Sequence, residues 1–378
     1  AYQLKSLSGN ASTFRFGLFG FGLILVILLS GPIDLKSESF TLSGIGSKAS
    51  GMGTAFIGLA DDFSALFFNP AGLTQLKHSQ ISFYGTAILP RHRFWLGEND
   101  TGFADAKSIQ PFHCAAAIAY LNRVSEKFII GVSTYVPSST RIKWDGNDLA
   151  PLSGGESFAW DVSLDRLTFS PVFSIRISTR LSLGFSINLN YLRMDRLHPL
   201  ADGDGSAHFQ YFENMSGLAI GGTMGALYRF DDRLRLGVMV KLPFSTSLNG
   251  FATAAGIGQA GETVQSDGER TITWPMVAGI GIAVRPNDRL IVTADLVYTG
   301  WHVLEHIPVT YRDPTWVPLA ALSELPLKWE DRLDLKIGFE FRLSSVLSLR
   351  GGFYTERSAA PEHQLNILLP TVSCKALT

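Results

Sequence analysis

The chain has 378 residues, enough for two ordinary soluble domains or one large barrel, and only 17% of them are charged against 46% hydrophobic. A net charge of −1 leaves no basic excess to attract nucleic acid. Cys114 and Cys374 lie far apart and form no C-x-x-C pattern, which sets aside zinc ribbons and thioredoxin-like chemistry.

In chain order, residues 1–36 read as a signal-like segment. Lys5 and Arg15 precede an apolar run, Phe16 to Leu29, that ends in Ser30-Gly31-Pro32. A basic region, an apolar region and then small residues describe an export signal, although no A-x-A cleavage site is present. An anchoring helix is the alternative, because the uncharged stretch can be drawn out to Ile33.

Residues 37–77 read as a plug. From Gly44 to Leu76 six glycines stand among Phe56, Phe63, Phe67 and Phe68, with an Ala60-Asp61-Asp62 step and an Asn69-Pro70-Ala71-Gly72 close. Small residues let backbone pack tightly on a neighbouring surface, and Pro70 with Gly72 stops any regular element. A glycine-rich surface loop is the plainer alternative. A dinucleotide-binding loop is disfavoured, because Gly44, Gly46, Gly51 and Gly53 miss the G-x-G-x-x-G spacing.

Period two then takes over through residues 78–370. Leu333, Leu335, Ile337, Phe339 and Phe341 alternate with Arg332, Asp334, Lys336, Glu340 and Arg342, giving a ribbon with one oily and one ionic face. Eleven such strands are expected, at about 80–89, 112–120, 128–137, 166–178, 181–193, 216–229, 234–243, 274–285, 289–301, 332–342 and 347–355. The connections alternate: 121–127, 179–180, 231–233, 286–288 and 344–346 are short, whereas 90–111, 138–165, 194–215, 244–273 and 302–331 are long. Short turns at one rim and long loops at the other organise an all-β transmembrane antiparallel barrel of the outer-membrane kind. A soluble sandwich or barrel gives the same period but no reason for loops to be long at one end only. Because such barrels close on an even number of strands, eleven predicts either a longer parent chain or one more strand hidden in Glu356 to Leu369. Residues 371–378 show no clear alternation and are expected to be an unstructured or aberrant tail.

The stretch SGIGSKASGMGTAFIGLADDFSALFFNPAGL resembles the N-terminal hatch of the FadL/TodX (OmpP1) family of outer-membrane hydrophobic-substrate transporters. Gly44, Gly46, Gly51, Gly53, Ala60, Asp61, Asp62, Asn69, Pro70 and Ala71 occupy the motif positions. SPVFSIRISTRLSLGFSINLNYL and KWEDRLDLKIGFEFRLSSVLSLRGGFYTERSAAP are also similar to that family, so the resemblance covers roughly Phe40 to Pro370. It implies about fourteen strands around the hatch, more than are read here. It also implies passive uptake of long-chain fatty acids or aromatic hydrocarbons, with Phe56, Phe63, Phe67, Phe68 and Arg350 as substrate-binding candidates and a lateral exit at Gly131 to Ser133 of the third strand. No cofactor is implied. The implied setting is the outer membrane of a Gram-negative cell, with lipopolysaccharide and the barrel-assembly machinery as partners of a monomer.

From the residues themselves, an amphiphile needs an apolar pocket with a few oriented polar groups, and Arg176, Arg235, Lys241, Asp295, Lys336 and Arg350 fall on lumenal positions. Each could instead pair with a neighbouring charge and fix the hatch. His302, Glu305 and His306 spell H-x-x-E-H, yet Pro308 follows and no helix is expected to place both histidines on one face. Trp301, Tyr311, Trp316 and Trp329 around them suggest an interfacial girdle or a ligand-gathering loop. A lipid hydrolase lacks its G-x-S-x-G elbow, and a general porin is disfavoured by the hatch; both remain alternatives to the transporter.

Overall fold

The computed structural model describes residues 44–88, 92–96, 104–109, 113–201, 208–255, 262–361, 366–369, 371 and 373–378. The expected export signal and the first residues of the hatch lie outside these.

With strands numbered in chain order, one antiparallel ladder holds β1 (Gln80–Ile88), β4 (His113–Arg123), β5 (Phe128–Trp144), β6 (Trp160–Arg176), β7 (Leu181–Ala201) and β8 (His208–Arg229). It continues through β9 (Leu234–Lys241), β12 (Val277–Asn287), β13 (Leu290–Thr299), β17 (Arg332–Arg342), β18 (Ser348–Glu356) and β19 (Cys374–Leu377). Each of the eleven expected strands overlaps one member of this ladder. Alternation sets the faces. Leu183, Phe185, Ile187, Leu189 and Tyr191 of β7 are exposed on the outer side, while Ser182, Ser186, Asn188 and Asn190 are buried on the inner. An apolar exterior over a polar interior is the arrangement a barrel adopts in lipid.

Two features differ from the sequence reading. Cys374–Leu377, placed in an unstructured tail, forms β19 and pairs with the end of β18, from Glu356↔Cys374 to Phe353↔Leu377. Its small Cys374 and Ala376 turn inward, and its backbone satisfies groups that β18 otherwise leaves open. Between Glu356 and Cys374 no strand occurs among the described residues. Second, much of the long-loop side is strand. β5 to β8 run well past the expected limits, and Phe244 to Thr273 folds as the hairpin β10 (Phe244–Ala255) and β11 (Thr263–Trp274), with β10 seated on the outer half of β8.

These extensions raise a wall with its own apolar core, in which Trp144, Trp160, Met194, Met215 and Trp274 are buried. Trp301 and Trp329 belong to this core and Trp316 to a second one with Phe209 and Tyr211, at only 2%, 3% and 2% exposure, so they form neither an interfacial girdle nor a gathering surface. The segment that carries them folds back, pairing β15 (Val309–Tyr311) with β11 and β14 (His306–Ile307) with β16 (Leu325–Pro326). A buried ion cluster pins it. Glu213 takes a bidentate pair from Arg270 at 2.7 and 2.8 Å and a third contact from Arg196 at 3.3 Å, and both arginines donate to Ser323 O. The remaining hairpin, β2 (Arg93–Leu96) with β3 (Ala104–Lys107), is a separate two-stranded sheet that packs on this core through Ala104 and Ala106.

The ladder wraps the hatch, whose backbone lies on three bare patches of the inner wall. Each patch is a directly opposed pair of glycines: Gly184↔Gly225, Gly281↔Gly237 and Gly338↔Gly352. Pro70 and Ala71 sit on the first, Ile57 and Gly58 on the second, and Met52 and Gly53 on the third. A Cβ on Gly58 would lie 2.6 Å from Gly281 O, and one on Gly53 would lie 2.8 Å from Ile337 O. Only residues without a side chain allow such approach of backbone to backbone.

Candidate ligand site

Each hatch motif residue has a structural task. Asn69 donates through Nδ2 to Ile57 O and to Ala226 O of the wall, both at 3.0 Å, and accepts from Ala71 N at 3.2 Å. Pro70 O accepts from Ser174 Oγ at 2.6 Å. Asp62 accepts from Ser64 N and Oγ ahead of the short helix Ala65–Phe68, and Asp61 pairs with Lys48 at 2.8 Å. Gly44 faces the Phe68 ring, where a side chain would collide. From the opposite wall, Asp295 Oδ2 accepts from Phe56 N at 2.6 Å and Ile57 N at 2.7 Å. The Asn-Pro-Ala and Ala-Asp-Asp motifs therefore tie the hatch to itself and to the wall.

On the hatch, toward the raised wall, lies a cavity floored by Phe67 and Phe68 and walled by Tyr135, Pro137, Phe244 and Trp274. Thr168, Asn188 and Asn190 add polar groups that already bond to one another or to Thr223, with Thr168 Oγ1 donating to Asn190 Oδ1 at 2.8 Å and Asn188 Nδ2 to Thr223 Oγ1 at 2.9 Å. Four cations line it. Arg332 pairs with Asp334 at 3.0 Å and Lys336 with Glu356 at 3.7 Å. Arg166 and Lys241 have no such carboxylate among the described residues: the Arg166 guanidinium stacks 4.2 Å from the Trp274 ring centre, and Lys241 Nζ stands 3.3 Å from that of Phe67. Arg166 Nε is buried without a hydrogen-bond partner among the described residues. Two cations without an anion, in an aromatic chamber, are an open invitation to a negative group.

Of the expected binding residues, the structure brings Phe67 and Phe68 into this cavity. Phe56 is wholly buried, edge-on to Phe68 at 5.6 Å, and Phe63 packs on a separate part of the hatch core. Arg350 is not in the cavity; it lies beside Gly51 and pairs with Glu340 at 2.7 Å. Arg166, Tyr135, Phe244 and Trp274 were not anticipated. The available signal was Arg166, a charge on the inner face of β6 shared with Thr168, Ser170 and Ser174. His302 binds Asp331 at 2.7 Å while His306 approaches a different carboxylate, Glu324, at 3.7 Å. The H-x-x-E-H spacing therefore does not bring the two rings onto one site.

Beside the cavity the pairing of β5 becomes irregular just beyond Gly131 to Ser133, the stretch that the sequence resemblance implied as an exit. At Gly131 and Ser133, β5 is paired on both sides. Pairing with β4 stops at Ala117↔Tyr135, and opposite β6 the register shifts between Tyr135 and Ser138, so that Val136 and Pro137 together face Leu167. Such a bulge bends a strand, and Pro137 has no N–H to continue the ladder. The break thus lies at Val136 and Pro137, and both Tyr135 and Pro137 border the cavity.

No curated protein matches the chain. Among solved structures, it is similar to the Pseudomonas putida toluene transporter TodX at 20% identity and a TM-score of 0.73, over 90% of this chain and 89% of that one. A Pseudomonas aeruginosa FadL homologue aligns at 15% identity and a TM-score of 0.71, covering 90% and 85%. The Ralstonia pickettii toluene transporter TbuX aligns at 17% identity and 0.68, covering 83% and 86%. These likenesses share a fold, a hatch inside an outer-membrane barrel. The family model described as outer membrane protein transport protein (OMPP1/FadL/TodX) matches residues 39–375, and the chain belongs to that family of the outer membrane.

Proposed function

We propose that this protein is a passive conduit for hydrophobic compounds, and that its cavity favours amphiphiles with an anionic head, such as long-chain carboxylates. The observation that carries this reading is the pair Arg166 and Lys241, the two cavity cations with no carboxylate partner among the described residues. The head would bond to them while the chain lies along Phe67, Phe68, Phe244 and Trp274. Release would run through the interruption of the wall at Val136 and Pro137. No nucleophile or acid–base pair is needed for such a route, so the reading is of a transporter and not an enzyme.

A second reading keeps one specific observation. Both cations already stack on ring faces, an environment that also suits a neutral monoaromatic compound. Displacement of a fluorescent probe from the purified protein separates the two. Arg166→Gln with Lys241→Met should weaken dodecanoate by about 2 kcal/mol, roughly 30-fold, and leave toluene within about threefold. Equal loss for both ligands would remove the preference for an anionic head, and absence of binding by either would remove the conduit reading.

A further inference from the structure

The short-turn mouth, on the far side of the hatch from the cavity, is lined by arginine. Arg176 follows Ser174, which bonds to the hatch; Arg229 follows Gly225 and Leu227; Arg235 precedes Gly237; Arg285 follows Gly281 and Ala283. Alternation therefore turns all four to the inner face. Arg123, after the buried Ala119 and Leu121, joins them on β4. Arg229 and Arg235 are directly opposed across β8 and β9, a like-charged pair that costs stability unless something offsets it.

Among the described residues no carboxylate in contact does so. Arg123 donates to Lys77 O at 2.7 Å, Arg229 to Thr179 O at 3.0 Å, Arg176 to Thr74 O and Arg235 to Gln75 Oε1, all neutral oxygens. Among the nearby acids, Asp61 and Asp232 attract Arg235 and Glu126 attracts Arg176 only from beyond contact, Asp61 being taken by Lys48, while Asp231 caps the turn at Arg233 N and Leu234 N. Among the described residues no ion pair joins these five arginines to a carboxylate. A clamp on the end of the hatch needs donors but not five positive charges.

We propose that this arginine ring is a second site for the anionic head of an amphiphile of the cargo's class, one that reaches the hatch from the short-turn side and not through the cavity of Arg166 and Lys241. The inference rests on the reading that the cargo carries such a head. A carboxylate makes charge-assisted hydrogen bonds, stronger than those to the neutral oxygens of Thr74 and Gln75, and so competes for the Arg176 and Arg235 donors. Gln75 Nε2 in turn holds Leu59 O at 2.8 Å and Ala60 O at 3.0 Å, so an anion at the mouth loosens the hatch from beneath. The ring thereby couples arrival of an anion on the short-turn side to the seating of the hatch.

The test is calorimetric titration of the full chain in micelles of a nonionic detergent, with dodecanoate and with dodecanol. Dodecanoate should fill two sites. Arg166→Gln with Lys241→Met should weaken the upper one roughly 30-fold, and in that background Arg229→Gln should weaken the remaining site at least about fivefold while Arg229→Lys restores it. Arg229 holds no part of the hatch, so its substitution leaves the plug seated. Dodecanol should show no site sensitive to Arg229. If the upper-site double variant retains no dodecanoate binding, or if Arg229→Gln leaves its residual binding unchanged, the ring is not such a site. If that double variant binds dodecanoate as the wild type does, it is instead the anionic-head reading of the cavity that fails.

Discussion

Asp295 on the inner wall accepts the backbone N–H of Ile57 at 2.7 Å, and that of Phe56 at 2.6 Å, across 238 and 239 residues of sequence. The second glycine patch lies next to it: Gly281 opposes Asp295 in one ladder and Gly237 in the other. One strand position offers an acceptor where its neighbours offer bare backbone, so the hatch is held by polarity and by fit at one level. Asp295→Ala would strand two buried N–H groups and should cost about 2–4 kcal/mol of hatch seating. Protease sensitivity of the segment Gly44 to Leu76 in the folded barrel reads this directly; resistance equal to wild type would show that the bonds contribute little.

The glycine patches make a steric prediction. Gly281→Val places two methyl groups where Gly58 and the Asp295 carboxylate already lie, and small-to-large changes at packed sites cost about 1–3 kcal/mol. Because Gly281 is in the wall, the barrel should still form, with its usual heat-modifiable mobility, while the hatch is displaced and conductance in planar bilayers rises.

Glu213 compensates two buried arginines. Glu213→Ala leaves Arg196 and Arg270, at 1% and 0% exposure, without their counter-charge, a loss of about 3–5 kcal/mol for a broken buried pair. The damage should be local. Hydrogen exchange should accelerate in the helix Val317–Ser323, whose Ser323 O both arginines hold, and stay unchanged in the hatch.

Deleting Pro137 would leave one residue of β5 opposite Leu167 and restore a regular register. If cargo leaves through this interruption, equilibrium binding in the cavity should persist within about threefold while uptake into cells falls at least about tenfold. Uptake at the wild-type rate would place the exit elsewhere.

Much of this protein is legible in its residues. Period-two alternation and the regular succession of short and long connections determine an antiparallel membrane sheet with an oily exterior, because inside and outside are set one residue at a time by the pleat. The Gly-rich, Asn-Pro-Ala segment likewise announces a plug, since backbone that must lie on backbone needs glycine on both surfaces. What the sequence does not disclose is which inner-face residues meet. Arg350 and Arg166 look alike as lumenal cations, yet one finds Glu340 ten residues away and the other faces Trp274 more than a hundred residues on. The bulge at Val136 and Pro137 is equally silent, because it exists only as a mismatch between β5 and its neighbours. Local chemistry determined the faces of each strand; strand register and the curvature of the sheet, which depend on contacts between distant segments, decided where charge, aromatic rings and the break in the wall come together.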